Sequence, residues 1–501
     1  MRISGFASGL DIDAMVKELM IAKRAPLNKL NQQKKTLEWQ REQYRDINIK
    51  LIDFRNNKLS NYGLSGSLSA KQVNVTGNSG AVSAKATGSA TSGNMTVEVT
   101  ELATASTVKS TTGIGAVDTS KTLGELKQLG KINFDLDTDN KIVININGTD
   151  LKFNESDTLA SVVTTINSST SANVFFDYAT GGMSMTSKES GLDNSLNFSG
   201  KLIESFVKMS DVVAGKDAQV AINGISTTRS SNTFTENGIE ITLNGKTNGT
   251  AATLNVTSNT DKIVDNIKSF IKDYNELLDS LNSKLGEERF RKYAPLTDDQ
   301  RKEMKEDEIK LWEDKAKSGL LRNDIALSTL ATNIRLSSMT SVKVGGTGID
   351  LSSLGIETGE WGERGKLVLK NEDKLRAAIE ANPEQVMKFF TQQSTETDAS
   401  KKNTPTDPEA GLFNRLSKAV MTAIEGLAEK AGTPKFSMDE KATFAPTSLI
   451  GKNLRDIDLR ISTEAARMKM LETSYYKKFT AMEKAINRFN SQSSSLFGAT
   501  Q

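Results

Sequence analysis

From Leu454 to Leu496 the apolar residues Leu454, Ile457, Ile461, Met468, Leu471, Tyr475, Phe479, Met482, Ile486, Phe489 and Leu496 follow one another at steps of 3, 4, 7, 3, 4, 4, 3, 4, 3 and 7. That is a heptad seam with one stutter between Tyr475 and Phe479. A helix from Ser448 to Leu496 would be about 70 Å long. Each buried side chain of such a stripe contributes about 1.5–3 kcal/mol. Helices gain most of their stability from packing, so the stripe needs a partner along its length. This constrains the fold more than any other feature, because no compact core hides a ridge of that extent.

The opposite end of the chain is also helical. Asp11 is a candidate N-cap, with Ile12, Met15, Val16 and Leu19 expected on one face. Pro26 breaks or kinks the run. Leu30, Leu37, Tyr44 and Leu51 then recur every seven residues, widened by Ile47 and Phe54 only in the second half. The flanking positions of the first half are Lys34 and Arg41, so the seam is half complete. Lys17 to Lys58 holds 11 basic and 5 acidic residues, and Lys452 to Arg488 holds 9 and 5. Two basic helices do not suit each other alone, so the expectation is that other chains, or an acidic surface, complete both seams; the alternative is an intramolecular pair of the two terminal helices.

Between the helical ends the character changes. From about Lys71 to Asp261 the chain is rich in Thr, Ser, Asn, Gly and Val, with period-two alternation in "VNVTG", "MTVEV", "KIVINING", "IEITLNG" and "ATLNV". Asn147-Gly148 predicts a tight hairpin. A short helix is expected in "SDTLASVVTTINSS", capped by Ser156 or Asp157, and a second hairpin around Gly181-Gly182. Helices return near Lys262, where Ile263, Ile267, Phe270, Ile271, Tyr274 and Leu278 share a face. Thr297 and Gln300 stand in capping-box register before a charged helix carrying Trp312. A β-like patch, a helix over Leu375–Phe390, a polar loop from Thr391 to Pro408 and two further helices complete the chain. Trp39, Trp312 and Trp361 are expected to pack within the helical part.

Chemistry is narrowed by what is missing. The 501 residues include no Cys and no His. Disulfides, thiol nucleophiles, Cys/His zinc sites and Ser-His-Asp catalysis are therefore excluded. Lys+Arg is 64 and Asp+Glu is 62, so no global charge points to nucleic acid. No stretch reaches the roughly 20 apolar residues of a membrane span. Asp11 and Asp13 interrupt the N-terminal apolar run, so a cleaved secretion leader is not expected. Asp135, Asp137 and Asp139 have the spacing that opens a calcium loop. Asn140 stands where that loop needs Gly, and Ile146 where it needs Glu, so an acidic turn is expected and no metal.

"SGFASGLDIDAMVKELM" (Ser4 to Met20) and "FTAMEKAINRFNSQSSSLF" (Phe479 to Phe497) resemble the terminal signatures of the flagellar filament cap family, hook-associated protein 2 (FliD). "LEWQREQYRDINIKLIDFRN", "VEVTELATAS", "KIVINING" through "MTSKESG", "AINGISTTRSSNTFTENGIEITLNG" and "SSLGIETGEWGERGKLVLKNEDKLRAAIEANPEQVMKFF" are similar to successive segments of that family. "YAPLTDDQRKEMKEDEIKLWEDKAKSGLLRND" resembles its Gram-positive versions. The resemblance implies an α+β, elongated multidomain chain with discontinuous domains. Terminal coiled-coil-type segments lie at 1–42 and 448–501, with a helical leg at 43–70 and 261–447. Antiparallel β-rich heads lie at 71–112 with 215–260, and at 113–214. It further implies a non-enzymatic, cofactor-free homo-oligomer at the extracellular flagellum tip, exported without a cleaved leader. Its partners would be flagellin, the hook-filament junction protein and an export chaperone, with neither nucleic acid nor membrane insertion. The cap would retain flagellin and promote its insertion. The oligomer and partner seam is expected at the heptad residues from Leu30 to Leu51 and from Leu454 to Phe489. Adhesion is an added expectation, and a secreted adhesin or tail-fibre-like surface-binding protein is the competing one; a carboxylate hydrolase is a remote third.

Overall fold

The computed structural model of the chain describes residues 11–498, and the side chains of Ser65, Trp361 and 494–498 lie outside that description. The fold is α+β, with several small antiparallel sheets. Packing divides it into two compact units, Met1–Leu68 with Ile263–Gln501, and Ser69–Lys262.

The first unit is mainly helical. Asp11 caps the first helix, Ile12–Lys23, by accepting the Ala14 N–H at 2.9 Å. The second helix, Ala25–Asp53, opens with Pro26 in its first turn, where a missing N–H costs nothing. It runs on through a π-helical turn, Phe54–Leu59. The helix Leu412–Ala431 packs on it and on Ile325–Met339, and Lys50 reaches Ser280 of the helix Thr260–Gly286 at 2.9 Å. The stripe expected on Thr260–Gly286 is buried throughout. Phe270, Phe390 and Phe413 form the aromatic centre, with ring centroids 4.9–6.0 Å apart.

Two expected single helices are each divided. Thr297 and Gln300 form the expected capping box, but the helix it opens ends at Glu303, and a second starts at Glu306. The stretch before Phe390 is Glu372–Ala381 and Pro383–Thr391, because Pro383 cannot continue a helix and instead starts a new one. The β-like patch forms two short hairpins.

The second unit holds two apolar cores. In one, a five-stranded sheet covers a three-stranded sheet, with Val97, Val99, Leu254 and Val256 facing Val82, Ile239, Ile241 and Leu243. In the other, two three-stranded sheets enclose the helices Leu123–Gln128 and Leu159–Ser169. Asn147 (φ 48°) and Gly148 (φ 81°) make the tight turn that sets Ile146 opposite Thr149. Thr158, not Ser156 or Asp157, caps Leu159–Ser169, because the Asp157 carboxylate is taken by the Asn154 N–H. Gly181 ends the turn of the second hairpin, and Gly182 is already paired with Asp177. Asp137 accepts the N–H groups of Asp139 and Lys141 and pairs with Lys152 at 3.1 Å, so its carboxylate shapes the acidic turn.

Candidate assembly surface

The second helix of the first unit organises both chain ends. The two charged positions that left its seam half complete have partners within the chain. Lys34 Nζ lies 2.8 Å from the Asp458 carboxylate, and that hydrogen bond raises the Lys34 pKa. Arg41 and Arg45 hold the Phe444 ring between them, at 4.2 and 3.8 Å from its centroid. Arg45 also donates to the carbonyls of Glu440 at 2.6 Å and Ala442 at 3.0 Å, and Asn48 to that of Pro434 at 2.7 Å. The segment leading into the C-terminal helix, Leu449–Gly498, is thereby clasped to the second helix.

Deeper in the unit, Tyr44 and Lys430 donate to one Asp324 carboxylate oxygen at 2.6 and 2.5 Å. Burial works to raise the Asp324 pKa, but these bonds and the Leu327 N–H hold it below the ordinary range. Burial and the bond to Asp324 push the Tyr44 hydroxyl well above its usual value. Trp39 is buried beside Lys317, and Trp312 donates to the Ala294 carbonyl at 2.8 Å and packs on Tyr293.

The first helix docks on the C-terminal helix. Ile12, Val16 and Met20 close over Met468, bordered by Leu27, Leu471, Tyr475, Tyr476 and Phe479. Met15 and Leu19, expected on that face, point outward; Met20 takes the third place because 12, 16 and 20 repeat at four residues. The Tyr476 hydroxyl donates to Asp13 at 2.7 Å.

The expectation that both ends wait for other chains is thus corrected. Local acid–base pairs, Lys34 with Asp458 and Tyr476 with Asp13, let two net-basic helices meet. Leu30, Tyr44, Leu51, Leu454, Ile457 and Met468 are buried within the chain itself. Leu37, Ile461, Leu471, Tyr475, Phe479, Met482 and Ile486 are half-buried, and Phe489 is 71% exposed. Sequence spacing missed a second, outward stripe: Leu459 and Met470 lie three turns apart on one face and are 69% and 68% exposed. A groove beside Leu459 is walled by Pro26, Leu30 and Thr463. Ser4 to Leu10 of the N-terminal signature lie outside the described residues. Among the described residues no helix is long and apolar enough to cross a membrane, and no cluster of three acidic side chains is poised for a metal ion.

A helical unit whose first and last described helices pair, interrupted by a β-rich insertion with two cores, is a fold shared with flagellar cap proteins. The family model "Flagellar hook-associated protein 2 C-terminus" matches residues 215–491, and its N-terminal counterpart residues 8–106. A hook-associated protein 2 of Halalkalibacterium halodurans is 31% identical over 99% of both chains, and that of Escherichia coli O157:H7 25% over 75% of this chain and 77% of its own. The D1-D2-D3 domains of the Escherichia coli flagellar cap protein share the fold, at TM-score 0.52 and 22% identity, over 83% of this chain and 99% of that one. The chain belongs to the flagellar hook-associated protein 2 family.

Proposed function

We propose that this chain oligomerises as the cap at the flagellar tip, where it retains exported flagellin and promotes its folding and insertion. The full-length likeness to a hook-associated protein 2 carries this reading. The exposed Leu459, Met470 and Phe489 supply apolar surface for neighbouring copies and flagellin. No disulfide has to be broken for passage through a narrow export channel, since the chain has no Cys. The export chaperone and the hook-filament junction protein are the remaining partners of this reading. In a strain lacking the chain, filaments should be short or missing and flagellin should accumulate in the medium. Wild-type chain should restore growth, and Met470→Asp, on the outward face, should not. Full filaments without the chain would overturn the proposal.

Adhesion is separable. Phe175 is 68% exposed on its strand, an apolar group on the outer face of a polar sheet. Removal of Gly113 to Ala214 should abolish binding to surfaces and leave filament growth intact.

A further inference from the structure

The second unit carries five Asn-Gly dipeptides, at Asn147, Asn223, Asn237, Asn244 and Asn248. In each, the glycine N–H can attack the asparagine side-chain carbonyl. A C–N bond forms, ammonia leaves, and water opens the resulting succinimide to aspartate or isoaspartate. The attack requires the asparagine amide and the glycine nitrogen to swing together, so whatever holds either one slows the reaction.

The structure separates the five. The Asn147 amide donates to the Ser171 hydroxyl at 2.8 Å and accepts the Asn197 N–H at 2.7 Å. Asn223 accepts the Thr96 N–H at 2.9 Å. Asn244 donates to the Ser83 hydroxyl at 3.2 Å, and its attacking group, the Gly245 N–H, is bound to the Ala81 carbonyl at 3.1 Å. Asn237 has a free side chain, but Gly238 is wedged against Ala90 and its carbonyl accepts from both the N–H and the hydroxyl of Thr87. Asn223, Asn237, Asn244 and Asn248 are all exposed, but only Asn248 combines a side chain without a hydrogen bond and a following glycine with open space around it and an unbonded N–H.

We propose that Asn248 is a site of spontaneous covalent modification, the first of the five to become aspartate or isoaspartate in the folded chain. The position has a structural consequence. Thr247, only 1% exposed, clips its loop to the sheet: its hydroxyl accepts the Val99 N–H at 2.8 Å and its own N–H donates to the Val99 carbonyl at 2.9 Å. Isoaspartate at 248 adds a backbone carbon next to that clip and loosens it, so hydrogen exchange at Val99 should quicken as the chain ages.

The test is peptide mapping by mass spectrometry of the full chain, aged in mildly alkaline buffer, folded and in urea. Asn248 should convert about tenfold or more ahead of Asn147 and Asn223 when folded, the factor expected for one or two held hydrogen bonds. In urea that lead should largely vanish. A folded chain in which any other of the five leads would overturn the proposal. So would a lead of Asn248 that survives unchanged in urea, because neighbouring residue type and not structure would then set it.

Discussion

Phe444→Ala removes the ring that Arg41 and Arg45 enclose. Each cation–π contact contributes about 0.5–2 kcal/mol, more where water is excluded. The ring is half-buried, so its lost burial adds about 1–2 kcal/mol. The Arg45 bonds to the Glu440 and Ala442 carbonyls depend on the same guanidinium orientation. The clasp should therefore weaken by about 2–4 kcal/mol. Because it holds a segment and not the bundle core, the loss should appear as local opening. Native-state hydrogen exchange should quicken by about one and a half to three orders of magnitude over 440–453, at about 1.4 kcal/mol per tenfold. Amides of Thr260–Gly286 should keep their protection. Phe436→Ala is the control, since that ring is 70% exposed in the same segment. The reasoning fails if Phe444→Ala leaves exchange at 440–453 unchanged, or if Phe436→Ala has the same effect.

Asp324→Asn should destabilise the first unit by about 3 kcal/mol, measured by urea unfolding, because Tyr44 and Lys430 lose their shared acceptor. The Asp324 pKa is depressed on folding, so its contribution is present above the ordinary carboxylate range and is lost as pH falls through the folded value. Acid titration of wild type should show that loss, and Asp324→Asn should not. Arg415 is fully buried, its Nε and Nη2 have no partner, and burial lowers its pKa to about 10. Arg415→Met should accordingly raise stability by about 1–3 kcal/mol, and a marked loss would contradict this. Gly181 has φ 69°, and an added Cβ would collide with the Gly115 carbonyl oxygen, so Gly181→Ala should lower the melting of the second unit by several degrees in calorimetry.

Periodicity read the long terminal helices well. A last helix expected over Ser448–Leu496 is found at Leu449–Gly498, because fifty residues of one period leave little ambiguity. The Asn147-Gly148 hairpin was equally legible, since few residues tolerate positive φ at both central positions. Spacing could not say what covers a seam. Lys34 and Arg41 looked like defects of an apolar stripe, yet they are the places where Asp458 and Phe444 attach. Those partners lie some four hundred residues away, and net charge concealed them because two ion-pair or hydrogen-bond contacts outweigh a diffuse, salt-screened repulsion. The Asp324 junction gave no local signal either: its three members come from three separate helical segments. The divisions at Met304 and Asn382 were partly visible, since Pro383 was in plain view.

The account rests on the two ends of one chain packing against each other. A chain without Cys allows a clean test by Asp13→Cys with Tyr476→Cys, positions whose present side chains meet at 2.7 Å. The Tyr476 ring spans that gap and a direct disulfide would not, so the two thiols are joined with a short bis-maleimide in dilute solution. Mass spectrometry of the digested monomer should find the two peptides linked within one chain; no link, or links only between chains, would show that the first helix does not dock on its own C-terminal helix.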